Sequence, residues 1–198
     1  MTTANNNQAL NSVLAAIDEI NSQDPNHIEF DGKTQPKELA YGQQMTACLQ
    51  KYWPQANELL QIAVRAQHIK RWHLKRTEFE PGKAGYYKWR IAQGKFHAEL
   101  TSEIMASHGY SAEDIDKTAA ILRKEKLKTN PDTQTLEDVA CLVFLQHYFD
   151  EFAAKYTEEK IIRIVQLTWN KMSDKGHDIA LSLTLPAHLS TIVSKALA

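Results

Sequence analysis

Several kinds of residue are scarce in this 198-residue chain, and each scarcity excludes something. There are only two cysteines, Cys48 and Cys141, both in apolar helical stretches. They read as reduced core residues, which leaves no disulfide framework and no CxxC metal site. Seven glycines and six prolines are too few for a turn-rich β protein and favour long helices. The net charge of −1 rules out polyanion binding by bulk electrostatics. No run reaches the roughly 18 apolar residues of a membrane span. The stretch Met1 to Gln8 is polar and Asn-rich, with neither the basic nor the apolar region of a secretory signal. The expected address is the cytoplasm, with no membrane partner. No Walker loop, GxGxxG, GxSxG or HExxH motif is present.

What is there is helical periodicity. Leu10, Val13, Leu14, Ile17 and Ile20 form an amphipathic stripe over about 9–21. A polar loop over 22–35 has room for a short extended piece at His27 to Phe30. Pro36 opens a second helix that runs to about Trp53. A third is expected over Gln55 to Trp72. An irregular segment, Leu74 to Tyr87, precedes a helix from about Trp89 to Ser107 that Gly109 stops. Loops of that length are often functional. Ser111 and Asp114 sign the start of a helix to about Lys126. Asn130-Pro131 reads as a break, and Thr135 as the cap of a helix to about Tyr156. The run from Val139 to Leu145 is apolar all round, so this helix is expected to be the central buried one. A helix from Thr157 and a short one after Pro186 complete the chain. The expectation is an all-α, single-domain bundle of about eight or nine helices over residues 9–198, after a polar tail over 1–8.

Four clusters carry chemistry. From Arg65 to Lys95, nine cations stand against only Glu78 and Glu80, with Trp72, Phe79, Tyr86, Tyr87 and Trp89 interleaved. Such a segment grips phosphates and stacks bases, or it is a solvated face with aromatic anchors. Within it, helical spacing would put His68, Arg71 and Trp72 on one face. A histidine among cations is held neutral, which suits a general base or metal ligand, or it bonds a neighbouring helix. Glu137 and Asp138 begin the buried helix as base or metal ligands, or as N-terminal caps. His97 and Glu99 fall on different faces and make no two-ligand motif.

Longer blocks then resemble a known family. "QHIKRW" (67–72), "FHAELTSEI" (96–104), "LRKEKLK" (122–128), "TLEDVACLVFLQHYFDEFAAKY" (135–156) and "TWNKMSDKGHDIAL" (168–181) are similar to the family called domain of unknown function 4202. More distantly the order of blocks resembles HD-domain metal-dependent phosphohydrolases, which are all-helical. That likeness implies His68 as the histidine of the His-Asp pair and Asp138 as the final aspartate. Ile69 stands where the pair's aspartate belongs, and "LAYGQQMTACL" (39–49) has no histidine for the first ligand. Two of four ligands are thus missing, so the cofactor is undetermined and no residue is assigned to a divalent metal. Lys171 to Lys175 resembles the KMSKS loop of class I aminoacyl-tRNA synthetases. No parallel strands for their nucleotide domain accompany it.

Together these readings point to an HD-like domain that binds a phosphate-bearing small molecule or nucleotide, and they leave open whether it is a phosphohydrolase with a degenerate metal site. The catalytic candidates are His68, Glu137 and Asp138. The substrate-binding candidates are Arg71, Trp72, Arg76, Arg90, His97, Lys124 and Lys126. A non-catalytic RNA- or protein-binding module acting through the 74–89 segment is the alternative.

Overall fold

A computed structural model describes residues 3–30 and 32–197. The chain forms two compact units, Met1–Lys126 and Leu127–Ala198. Both are helical, and the only strands among the described residues are a short antiparallel pair. No helix among them is long and apolar enough to cross a membrane.

The first unit opens with α1 (Thr3–Asn21), whose Val13 and Ile17 are fully buried, as the apolar stripe predicts. The helix begins at Thr3, so residues 3–8 are its first turns rather than the expected tail; Met1 and Thr2 lie outside the described residues. The extended piece at β1 (His27–Phe30) pairs with β2 (Lys33–Pro36) in register His27 to Pro36. Then follows α2 (Lys37–Tyr52). Asp24, 2% exposed, bonds Asn26 through Oδ1 and accepts the Glu38 amide through Oδ2 at 3.0 Å. It thereby satisfies one of the first free amides of α2 from outside the helix.

The third helix is shorter than its periodicity predicts. α3 (Glu58–Ala66) is capped by Asn57 and ends before His68. Lys70 adopts the left-handed conformation (φ 49°) and its amide donates to Asn21 Oδ1 at 2.9 Å. A 3-10 turn over Arg71–His73 follows. His68, Arg71 and Trp72 therefore do not share a helical face. Ile69 is fully buried and continues the apolar core of α3 beyond the helix. That hydrophobic anchor is what made the segment look helical.

A second 3-10 turn, Arg76–Glu78, leads to α4 (Gly82–Ser107), which starts well before Trp89. A Cβ on Gly85 would lie 1.8 Å from the Glu80 carbonyl oxygen, so the first turn of α4 closes on that carbonyl only because this residue is glycine. Ser111 caps α5 (Ala112–Leu122) as expected, but the helix stops short of Lys126. Lys124 and Lys126 lie beyond it with positive φ (57° and 54°). Arg65 ties the unit together, donating to Asp18 of α1 through Nε (2.6 Å) and Nη2 (2.5 Å), and to Thr46 of α2.

The second unit comprises α6 (Pro131–Val143), a π-helical turn over Phe144–Tyr148, α7 (Phe149–Ala153), α8 (Glu158–Trp169), α9 (Asp174–Ser182) and α10 (Ala187–Leu197). Leu136, Val139, Leu142 and Val143 have no exposed surface, so α6 is the buried helix of its unit. Its cap differs from the expected Thr135. Asn130 Oδ1 accepts the amides of Asp132 and Thr133, and Pro131 occupies the first turn. Asn-Pro opens this helix because proline's missing amide costs nothing there. Cys48 and Cys141 are buried and outside any disulfide, as expected.

Candidate functional site

The chemistry in the first unit is built around two histidines and a glutamate. Glu38 sits in the first turn of α2 and His68 in the turn after α3. Asn21 sets their approach: its Nδ2 donates to the Glu38 carbonyl (3.4 Å) while its Oδ1 holds the Lys70 amide (2.9 Å). Glu38 Oε2 then lies 3.0 Å from His68 Nδ1. Tyr41, one turn beyond Glu38, stacks on the His68 ring at 3.9 Å with a 12° interplanar angle. Some 21% of the His68 side chain remains exposed.

His97 reaches the same place from α4. Its ring centroid is 6.2 Å from that of His68, the residue is 2% exposed, and its Nε2 has no partner. One turn earlier, Gln93 Nε2 donates to the carbonyls of Arg71 (2.9 Å) and Leu74 (3.1 Å), while Trp89 Nε1 also donates to Leu74 (2.9 Å). α4 thus pins the 71–74 turn. Gln93 Oε1 is buried without a partner. Arg71 is held in place, its guanidinium 4.7 Å from the Trp89 ring. Arg90 lies over Tyr86 at 6.0 Å.

The electrostatics are asymmetric. Burial pushes the Glu38 carboxyl up to about 7, against the pull of Arg71 and Lys37. Burial holds His68 well below the ordinary histidine range, and Arg71, Lys124, Arg90 and Lys37 press in the same direction. His97 is likewise held down, first by burial, then by His68 and Arg71, with a backbone bond to Gln67 opposing. Both imidazoles are neutral at physiological pH while cations surround them. Lys70 and Lys124, which flank the site, carry the left-handed backbone that costs a non-glycine residue roughly 1 kcal/mol and concentrates at functional positions.

Of the residues singled out from sequence, His68, His97, Arg71, Arg90 and Lys124 come together here. Arg76 serves its own loop, donating to the carbonyls of Phe79 (3.0 Å) and Gly82 (3.2 Å). Trp72 is half-buried within the pinned turn, and Lys126 is exposed beyond α5. Glu38, Tyr41 and Gln93 escaped the sequence reading. No local signal links Glu38 to a histidine 30 positions away.

Glu137 and Asp138 belong to the second unit. Asn130 starts their helix, so neither acid is an N-terminal cap; they lie two turns in, 4% and 2% exposed. Asp138 Oδ1 accepts Ser173 N (2.8 Å) and Gln134 Nε2 (3.1 Å), and its Oδ2 accepts Ser173 Oγ (2.5 Å). Asp138 therefore fastens the Lys171–Lys175 stretch, where Ser173 caps α9. Glu137 Oε1 is 3.7 Å from Lys171 Nζ.

The donor set does not fit the metal of an HD phosphohydrolase. Ile69, which the resemblance would set in the place of the pair's aspartate, is a core residue, and His68 Nδ1 is engaged by Glu38. Among the described residues no group of three or more His, Cys, Asp or Glu is placed to hold an ion.

The fold and this site define an all-α protein with a cation-ringed histidine–glutamate pair. The chain belongs to the family described as Domain of unknown function (DUF4202), whose model matches residues 11–193. No curated protein and no solved structure matches it.

Proposed function

We propose that the first unit binds a phosphate-bearing small molecule at Glu38, His68 and His97 and hydrolyses it, with His68 Nε2 as the reactive atom. The observation that carries this reading is the gathering of Arg71, Arg90 and Lys124 about a neutral imidazole whose other nitrogen is held by a carboxylate. Guanidinium forks suit phosphate oxygens, and a part-buried setting strengthens each contact. Fixing Nδ1 orients Nε2 toward the ligand, as a carboxylate does for a catalytic histidine. His97 Nε2 and Gln93 Oε1, both buried and unpartnered, are the atoms that would meet the ligand's own donors.

Calorimetry with inorganic phosphate and pyrophosphate tests it. Arg71→Ala should weaken binding about tenfold or more, the effect of losing one charge-assisted hydrogen bond. Arg163→Ala, at an exposed position in the second unit, should not change it. Equal affinity in both variants would refute the assignment.

A second reading rests on the outer surface of α4. Tyr87 and Ile91 are 53% and 61% exposed, beside exposed Lys83, Lys88 and Lys95. Aromatic faces among lysines suit single-stranded RNA. Binding of an oligonucleotide that falls steeply as salt rises, and that Tyr87→Ala weakens, would favour it.

A further inference from the structure

We infer that His68 Nε2 is a nucleophile that accepts a phosphoryl group from an acyl phosphate or a phosphoanhydride, forming a phosphohistidine that water then discharges. This rests on the phosphate-binding reading above and specifies its chemistry.

The cations decide between base and nucleophile. A general base must end the step as an imidazolium. Burial opposes that added positive charge most, and Arg71, Lys124, Arg90 and Lys37 oppose it further. A phosphoryl group brings two negative charges to the same nitrogen, and the same cations stabilise it. The field that repels a proton therefore favours phosphorus. Geometry agrees. Glu38 occupies Nδ1, which leaves the Nε2 lone pair directed away from the carboxylate. Tyr41 fixes the plane of the ring by stacking.

The step balances. The Nε2 lone pair forms a bond to phosphorus as the phosphorus–oxygen bond to the leaving group breaks. The leaving group departs with that electron pair. The ring becomes a phosphoimidazolium whose Nδ1–H donates to the Glu38 carboxylate, which offsets its charge. Water then attacks phosphorus, the nitrogen–phosphorus bond breaks, and the proton leaves on inorganic phosphate. Neither half requires an oxidant or a metal.

The leaving group sets the substrate class. Glu38 is committed to Nδ1, and His97 is held neutral, so neither is poised to protonate a departing alkoxide. Acetate or a phosphate departs as a stable anion and needs no such acid. An alkyl phosphate does.

The test is rapid-quench incubation of the full chain with acetyl phosphate, followed by peptide mapping under alkaline conditions, which preserve phosphohistidine. Calorimetry of inorganic phosphate runs in parallel. The expected result is an acid-labile phosphoryl group on the peptide that contains His68, absent when glycerol phosphate replaces acetyl phosphate. His68→Asn should abolish it. Mapping on the unaltered protein holds the inference to account even where that variant does not fold. Hydrolysis with no adduct at any quench time, or an adduct on another residue, overturns the covalent step and leaves the phosphate pocket standing. Absence of phosphate binding, adduct and hydrolysis overturns both.

Discussion

Glu38 Oε2 and His68 Nδ1 meet at 3.0 Å across 30 positions of chain, and one proton governs the pair. With Glu38 ionised, Nδ1–H donates to the carboxylate and Nε2 is bare. With Glu38 protonated, the carboxyl O–H donates to Nδ1 and the ring's own proton moves to Nε2. The carboxyl, raised to about 7 by burial, thus acts as a tautomer switch for the histidine.

The rate of acetyl phosphate consumption should therefore rise with pH as one ionisation near 7. From about pH 6 to about pH 8 the ionised fraction of such a group grows about tenfold. Glu38→Gln, whose amide oxygen accepts from Nδ1–H at every pH, should flatten the profile. A rate that falls over this range would contradict the switch.

Stability should carry the same signature with a definite sign. Glu38 has a raised folded-state value, so its contribution is full below the unfolded value of 4.5 and is lost as pH rises through about 7. The loss amounts to roughly 3 kcal/mol at most. His68 and His97 are lowered, so their contribution is present above the unfolded histidine value and is lost as pH falls. In urea unfolding, Glu38→Gln should gain stability relative to the unaltered protein between about pH 5 and about pH 8. His97→Asn should become less acid-sensitive.

Asn21→Ala removes the acceptor of the Lys70 amide and the donor to the Glu38 carbonyl together. The expected cost is about 2–3 kcal/mol in chemical denaturation, from a buried carbonyl and a part-buried amide that each lose a bond. Phosphate affinity should fall with it, although Asn21 touches no ligand.

Asp138→Ala strips the Ser173 amide and hydroxyl of their acceptor. Thermal unfolding should show a loss of about 3 kcal/mol or more, typical of breaking a buried network. A Cβ on Gly176 would sit 2.8 Å from Asp138 Oδ1, so Gly176→Ala should cost about 1–3 kcal/mol by overpacking the same contact. Phosphate calorimetry below the melting range should be unchanged in both variants, since the proposed pocket is built from the first unit alone.

Gly85→Ala should disturb the start of α4, because the new Cβ meets backbone that cannot swing aside. Weaker phosphate binding without loss of the helical circular dichroism signal is the expected outcome, through displacement of Trp89 and Arg90.

Much of this was legible in the residues themselves. Apolar patterning located α1 and the buried α6, Pro36 marked the start of α2, and Ser111 and Gly109 marked their helix ends correctly. The cations of 65–95 pointed to His68 and Arg71. The misreadings share a cause. Ile69 and Trp72 keep helical spacing, yet the chain turns at Lys70 because Asn21 holds its amide. Asn130-Pro131 breaks a helix or begins one, and only the hydrogen bonds of Asn130 Oδ1 decide which. Asp138 looked like a cap by its distance from Thr135, which is not where the helix starts.

The sequence by itself determined that the protein is helical, that its cysteines are buried and reduced, and that cations and aromatics concentrate before residue 96. Those properties follow from composition and near-neighbour spacing. Only the tertiary structure decided that Glu38 holds His68, that His97 joins them, and that Asp138 is occupied in fastening Ser173. Hydrogen bonds between residues 30 or more positions apart depend on how helices pack, and no local periodicity encodes that.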